Sequence, residues 1–404
     1  MKKILFIHNC GLLGGGGISL YFTIKHLSSF YNLVCYIPES PSQLSDFLNS
    51  KNITIKKYNF KNGSIPYYSG GHSLSSPRFW YHSLLPFLNI KYWKKTIEKE
   101  APDLIIVNSK VMCWMGYLFK NIKSMCFVRE TMKGNSSNFI NRIIFNMLNK
   151  FSLISFLSEY DLHQMKTTGP RKFVAPDFLD LEEYKSKITR EEACQQIGIN
   201  PQKFNVLFVG GINELKGIDL AIKAIQKIKN DNIKLVVAGD ISEIKYRSNL
   251  KDFIKKLLQR KHNKFRKDII NYIDKKKISK YINFVGLQSD MADLYTSCDI
   301  LIFPMKEPHQ SRPLFEIGVQ RKTAILPNFP NITEFLHDNV NGLVFEPGNP
   351  KDLADKIVKL YENENLLNRL GNENYNFTKK FHSKEKCLNI IVREINNLIG
   401  EQNA

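Results

Sequence analysis

Between Phe303 and Gly318 the chain reads FPMKEPHQSRPLFEIG, so Lys306, Glu307, His309, Gln310, Ser311, Arg312 and Glu316 crowd behind an apolar run that stops at Pro304. Two carboxylates, a guanidinium and an imidazole at the end of a buried strand suit an anionic ligand rich in hydroxyls. Arg312 offers a planar fork for phosphate or carboxylate. Glu316, one turn into the following helix, can accept hydrogen bonds from sugar hydroxyls. Surface ion pairs at a helix start would leave the same pattern. Two further stretches set unusual residues between an apolar run and a helical one. In NCGLLGGGGIS, the glycines from Gly14 to Gly17, Gly16 and Gly17 included, let main-chain amides and a helix N-terminus approach an anion. That run lacks the ending of a P-loop and the dinucleotide fingerprint, and a flexible loop would look similar. In VGGINELKGID, Gly210 and Gly211 precede Lys216 at a helix start. An ammonium there opposes the helix dipole by about 0.3–1 kcal/mol unless something negative binds nearby.

The elements that must position these residues are legible as alternating periods. KKILFIH, NLVCYI, DLIIVNS, SMCFVRE and SLISFLS read as strands, with helical spacing over Ile18–Phe30 and Phe139–Lys150 between them. A second series runs FNVLFVGG, a helix over Gly217–Lys229, IKLVVAGD, a basic helical stretch, YINFVG, a short helix around Met291–Thr296, DILIFP, KTAILP and GLVFEP. Strands that are apolar throughout and separated by helices predict parallel sheets covered on both faces. Two such series predict an α/β chain of two doubly wound domains, each offering a ligand site at the carboxyl ends of its strands. The junction falls in Asp180–Lys203, where TREEACQQIGINPQKFN reads as a short helix stopped by Gly198. A final helix carrying Cys387, Ile390, Ile391 and Ile395 on one side has no strand partner, and it is expected to lie across a surface.

Composition narrows the function classes. At 404 residues and 43% hydrophobic, the chain can bury a large core in two domains. It holds nothing near the roughly 18–20 consecutive apolar residues of a membrane span, and its start enters a strand without a signal peptide's apolar run. The expected location is the cytoplasm. Seven scattered cysteines without a CxxC pair fit reduced thiols and argue against zinc. The net charge of +20 attracts nucleic acid, anionic lipid or phosphorylated ligands. Lys251–Lys280 alone holds twelve basic residues against three acidic ones. It can serve as a solvated helix face, a surface for anionic lipid or, though no nucleic-acid module is recognised, a nucleic-acid contact. Ser64–Lys95 is rich in aromatic and basic residues, and Trp80, Phe87 and Trp93 suit either a core or a surface that stacks sugars or rests on a membrane.

Taken together these stretches resemble the retaining glycosyltransferases of family four, the glycosyl transferases group 1. The resemblance covers nearly the whole chain. GGGIS after the first strand is similar to the family's N-terminal glycine loop, APDLIIVNS to its following proline-aspartate strand, and SFLSEYDLHQM to the element before the second domain. FVGGINELKGIDLAIKAI is similar to the family's glycine and lysine motif. INFVGLQSDMADLYTSCDILIFP, with EFLHDNVNGLVFEPGNPKDLADKI beyond it, is the most specific part. The resemblance implies a GT-B fold: two Rossmann-like doubly wound parallel-sheet domains facing across a cleft, with the C-terminal helix crossing back. It implies residues 1–185 for the acceptor, 186–375 for a nucleotide-sugar donor, and 376–404 for the returning helix. It also implies a nucleoside diphosphate sugar, here a uridine diphosphate sugar, as co-substrate and no cofactor. No DxD pair suited to magnesium is present, in keeping with the family's metal-independent reaction.

The sequence departs from the family at informative places. Gly211 stands where the family usually has arginine, while Lys216 is retained. The family's two glutamates have seven residues between them, whereas Glu307 and Glu316 have eight, and the first glutamate's place falls on Pro308. Either Glu307 reaches the site through a bulge or the sugar contact passes to His309 or Gln310. Ser311 takes a place usually held by glycine, and Arg312 is read as compensating for Gly211. Val128, Arg129 and Glu130 replace the family's histidine segment, which makes Arg129 a candidate. The expected catalytic set is Lys216, Arg312, Glu307 and Arg129. The donor would lie against Gly16, Gly17, Gly210, Gly211, Lys216, His309, Gln310, Ser311, Arg312, Pro313, Leu314 and Glu316, with Glu316 on the ribose. The expected partners are a saccharide or lipid-linked saccharide acceptor and an anionic surface on the inner face of the cell membrane, not nucleic acid, and the pathway is surface polysaccharide assembly. A nucleotide-sugar epimerase, a basic nucleic-acid binder and a lapsed transferase are the competing readings.

Overall fold

The structure is a computed structural model that describes residues 1–119, 121–134, 137–166, 168–241 and 250–400, with the backbone alone for 250–262. The chain divides into two compact units, Met1–Asp180 with Phe381–Ala404, and Leu181–Lys380. The junctions thus fall five residues before and five after those placed by the sequence reading. Tyr184, placed in the first domain by the sequence reading, donates to Glu316 of the second unit at 2.8 Å. Thr378, placed in the tail, packs so close to Gly318 of the second unit that a Cβ there would lie 2.5 Å from its hydroxyl oxygen.

In the first unit, apolar runs form β1 (Lys3–Ile7), β2 (Asn32–Pro38), β3 (Lys56–Tyr58), β4 (Leu104–Val107), β5 (Lys123–Val128), β6 (Leu153–Phe156) and β7 (Arg171–Val174). They make a parallel sheet in the order β3-β2-β1-β4-β5-β6-β7. The central strands are buried end to end, as in the run Leu104 to Val107, because helices cover both faces. The sequence reading missed β3 and β7, both at sheet edges. Their segments, KKY and RKFV, are short and charged, as edge strands that resist pairing with other chains tend to be.

The second unit contains β8 (Phe204–Val209), β9 (Ile233–Ala238), β10 (Ile282–Gly286), β11 (Ile300–Ile302), β12 (Thr323–Pro327) and β13 (Leu343–Phe345), ordered β10-β9-β8-β11-β12-β13 and again parallel. The entry helix Arg190–Ile197 is fixed by a capping box between Thr189 and Glu192 and by left-handed Gly198. The basic stretch forms most of the helix Leu250–Lys276. Its side chains through 262 lie outside the described residues, while Ile269 and Ile273 enter the core.

The tail is two helices, Glu364–His382 and Lys384–Ile399. Between them Ser383 is extended and bridges Leu179, and the last helix joins the first unit through Tyr31 Oη to Asn396 Oδ1 at 2.6 Å and the Arg171–Glu394 ion pair. The aromatic stretch divides. Trp93 is fully buried and donates to Asn62, whereas Trp80 and Phe87 are exposed.

One glycine in the second unit is demanded by packing. Gly217 starts the helix Ile218–Ile228 with φ +81°, and a Cβ there would lie 1.8 Å from the Pro304 carbonyl oxygen. Backbone strain and overpacking then act together, so Gly217→Ala should destabilise the second unit by about 2–4 kcal/mol. Thermal unfolding followed by circular dichroism checks this, and an unchanged transition would contradict it.

Candidate functional site

In the second sheet the chain leaves β8 toward β9 and leaves β11 toward β12, in opposite directions. At such a switch point the loops after the two strands diverge and leave a crevice at their carboxyl ends. β8 and β11 are direct neighbours, with Phe208 opposite Ile302. The candidates of this unit, from Gly210 to Glu316, fall on the loop 210–217, the loop 303–311 and the helix Arg312–Val319.

Lys216 reaches from the β8 loop to the end of β11, where its Nζ lies 4.6 Å from the centre of the buried Phe303 ring. Among the described residues no carboxylate pairs with it. Burial alone lowers its pKa to about 8 from an ordinary value of 10.5. The neighbouring Lys306 differs, because Asp219 in the first turn of the helix Ile218–Ile228 takes its ammonium at 2.9 Å. The stem of Lys216 crosses Gly210, whose added Cβ would come within 3.1 Å of it. The loops are joined by the Lys306 amide donating to the Leu215 carbonyl.

His309 is held neutral, its pKa lowered to about 3 first by burial and then by the charge of Lys216. Asn331 anchors the loop by donating to the His309 carbonyl at 3.2 Å. Next to it, Gln310 Nε2 and the buried Ser311 Oγ have no hydrogen-bond partner among the described residues. Ser311 is the N-cap of the helix Arg312–Val319, yet its hydroxyl caps no amide. A buried polar group left unpaired costs about 1–3 kcal/mol, so two of them facing a helix start mark a place fitted for something polar. Glu307 is half-buried on the same loop, Pro313 is in the first turn of the helix and Leu314 is buried behind it.

Arg312 and Glu316 are placed differently from the sequence reading. Both are buried, and Arg312 Nε donates to Glu316 Oε1 at 2.8 Å. The same oxygen accepts from Tyr184, and Oε2 accepts from Tyr295 at 2.6 Å. The guanidinium read as a phosphate fork and the carboxylate read as a ribose acceptor thus hold each other, and the tyrosines fix both. The main-chain amides also depart from expectation. Those of Gly210 and Gly211 donate to the Ala238 carbonyl, and those of Leu215 and Lys216 turn toward Asn213 Oδ1, so they do not point at a ligand. Gly211 has φ +62°, and a Cβ would stand 2.2 Å from the Asp240 carbonyl oxygen. This backbone admits no arginine at that position.

The first unit has its own polar cluster at the carboxyl ends of β1, β4 and β5. Arg129 donates from Nε to Asn108 at 2.8 Å and from Nη1 to Asp177 at 2.6 Å, and Asp177 also accepts from Ser19. Its charge is therefore answered inside the unit. Asn108 also contacts Nδ1 of the buried His8 at 3.1 Å. His8 has its pKa lowered to about 4, first by burial and then by Arg129, and its Nε2 has no partner among the described residues. Glu130 accepts from Ser109 and from the Lys110 amide. In the glycine loop, a Cβ added at Gly14, Gly15 or Gly16 would meet nothing within 4 Å, whereas Gly17 packs against Leu44. Packing within the unit does not require glycine at the first three positions.

The sequence reading did not single out Phe303, Tyr184, Tyr295, His8, Asn108 or Asp177. Phe303, His8 and Asn108 carried a signal, since each directly follows an apolar strand. The others come from distant segments and carried none.

Two Rossmann-like units of this topology define a GT-B fold. Anabaena HepE, solved with UDP and glucose, has the same fold, with a TM-score of 0.78 at 17% identity over 98% of this chain and 100% of that one. Residues 189–377 match the family of glycosyl transferases group 1, and this region of the chain is a group 1 glycosyltransferase domain. An uncharacterised glycosyltransferase of Methanocaldococcus jannaschii is 31% identical over 184 residues, 45% of each chain. The N,N'-diacetylbacillosaminyl-diphospho-undecaprenol alpha-1,3-N-acetylgalactosaminyltransferase of Campylobacter jejuni is 27% identical over 85 residues, 21% of this chain and 23% of that one. The chain thus spans less than half the length of these curated relatives.

The unpaired Lys216 has a consequence for stability. The unfolded chain keeps the lysine proton to about pH 10.5, while the folded site releases it near pH 8. The charged form therefore costs stability below pH 8, and the cost fades as the pH rises toward 10.5. Lys216→Met should raise the melting temperature of the second unit at pH 7 by about 2–8 °C, for a gain on the order of 1–2 kcal/mol. The gain should shrink above pH 8, and a lower melting temperature at pH 7 would contradict this account.

Proposed function

We propose that the chain is a retaining glycosyltransferase. In this reading it moves a sugar from a uridine diphosphate sugar to a saccharide acceptor carried on a lipid, in surface polysaccharide assembly. The observation that carries the reading is Lys216, a desolvated ammonium that no carboxylate pairs among the described residues, on the strand-end loops that also carry the polar atoms of Gln310 and Ser311, which have no partner among those residues. Such a place suits a diphosphate better than a neutral ligand. The HepE structure contains UDP and glucose, and the Campylobacter relative's name specifies a diphospho-undecaprenol substrate, which supports this choice of donor and acceptor.

During transfer, the bond from the anomeric carbon to the distal phosphate oxygen breaks with its electron pair going to that oxygen. Charge develops there as the sugar becomes oxocarbenium-like. Lys216 stabilises that charge, and the approach of the anion drives the lysine fully into its charged form. The amide of Gln310 and the hydroxyl of Ser311 donate to the diphosphate, and the neutral His309 ring faces the sugar, with Glu307 on the same loop. The acceptor oxygen attacks from the side the phosphate leaves, and its proton passes to the departing phosphate oxygen, so no separate base is needed. Arg312 and Glu316 act as positioning residues that hold the helix start through Tyr184 and Tyr295. Arg129 fixes the loop after β5 in the first unit.

The test is a panel of UDP, GDP and ADP sugars, with binding followed by thermal shift and transfer followed with labelled sugar. UDP sugars should raise the melting temperature and label a lipid-linked acceptor. Lys216→Ala should lose about 10²–10³-fold in turnover while folding normally. A protein that responds to no nucleotide sugar, or a Lys216→Ala variant of full activity, would overturn the proposal. Conversion of the donor without any acceptor would point to an epimerase instead.

A further inference from the structure

The helices Pro77–Leu84 and Pro86–Glu100 of the first unit have one face in the core and another that nothing covers among the described residues. On the inner side Phe79, Trp93 and Ile97 are buried. On the outer side Trp80 is 54% exposed, Leu84 62%, Phe87 73% and Leu88 77%. Trp80 and Leu84 lie one turn apart and share a face, as do Leu88 and Tyr92, and Leu84, Phe87 and Leu88 flank the junction of the two helices at Leu85. The Trp80 indole donates to the Leu74 carbonyl, which brings a further exposed leucine beside it. These are contiguous large apolar side chains, not single exposed ones.

The charge around them is mainly positive, with the exposed Glu98 one turn beyond Lys94 as the exception on that helix face. From Phe47 to Ile97 the chain has no Asp or Glu and eight Lys or Arg. Lys91, Lys94 and Lys95 project from the helix Pro86–Glu100, and Lys61 sits over the Tyr81 ring at 5.1 Å. Aliphatic anchors flanked by Trp, Tyr and lysine match the boundary between acyl chains and anionic headgroups. A second copy of the chain would bring the same positive field against itself. A nucleic acid would leave Leu84, Phe87 and Leu88 facing water and phosphate. No helix among the described residues is long and apolar enough to cross a membrane, so the contact is one of surface docking.

We infer that this face, centred on Leu84, Phe87 and Leu88 and ringed by Lys91, Lys94 and Lys95, docks the protein on an anionic lipid bilayer. The inference stands on the surface of the first unit and does not depend on the transfer reaction. It is tested by sedimenting the full chain with vesicles of phosphatidylcholine alone or with about one-third phosphatidylglycerol. Binding is expected only to the anionic vesicles and should weaken as salt rises. Removing Lys91, Lys94 and Lys95 by changing each to Gln should lower partitioning by about fivefold per lysine. Phe87→Ser with Leu88→Ser should lower it by about tenfold or more at an unchanged melting temperature, since both side chains are exposed. Equal partitioning of both variants with the parent, or no binding of the parent to anionic vesicles, would overturn the inference. So would a concentration-dependent dimer that the Phe87→Ser, Leu88→Ser change abolishes, because that would assign the face to a second copy.

Discussion

A largely desolvated ammonium over an aromatic ring, with no carboxylate among the described residues to answer it, is the constraint on which the second unit's site depends. Other cations nearby have partners within the protein. Lys306 has Asp219, Arg312 has Glu316, and the desolvated Lys322 donates to the carbonyls of Tyr295, Thr296 and Cys298. Among the described residues Lys216 has the face of Phe303 and no carboxylate, and it stands at the start of a helix whose dipole opposes it. A fold that tolerates such a group gives up stability for a partner that arrives from solution, and the anion of a nucleoside diphosphate fits that description.

The sheet makes the placement possible. Because β8 and β11 are neighbours whose connections depart in opposite directions, two loops open beside each other without any strand having to bend. One loop brings the lysine, and the other brings the ring that seats it, the neutral imidazole, the unpaired amide and hydroxyl, and the helix start. Tyr184, Tyr295, Arg312 and Glu316 then lock that helix from behind. In the first unit the corresponding cation, Arg129, is answered by Asp177 and Asn108, so its cluster holds the loop and strand ends together.

The fold was legible because central parallel strands are apolar on both faces and alternate with helices, a pattern that survives without any tertiary knowledge. Only β3 and β7 escaped, since an edge strand half in water can carry Lys and Arg where a central one cannot. The site was legible as a set of loops but not as a set of roles. Lys216 announced itself by opposing a helix dipole. Arg312 and Glu316 read as ligand contacts, and the sequence could not show that Tyr184, 132 positions from Glu316, also bonds the carboxylate. Gly211 looked like a lost cation until the backbone of Asp240 was found against it. The aromatic stretch was ambiguous for a similar reason. Helical spacing alone cannot say which side of a helix meets the core, and only packing separates the buried Trp93 from the exposed Trp80 and Phe87.

The central claim is that Lys216 waits partly deprotonated for a diphosphate. Calorimetric titration of the protein with UDP at pH 8.5, in buffers of different ionisation enthalpy, measures this most directly. Binding should draw in a fraction of a proton as the lysine, with a pKa of about 8 when free, becomes fully charged. The uptake should vanish in Lys216→Met. Binding without proton uptake, or with the same uptake in the variant, would contradict the account.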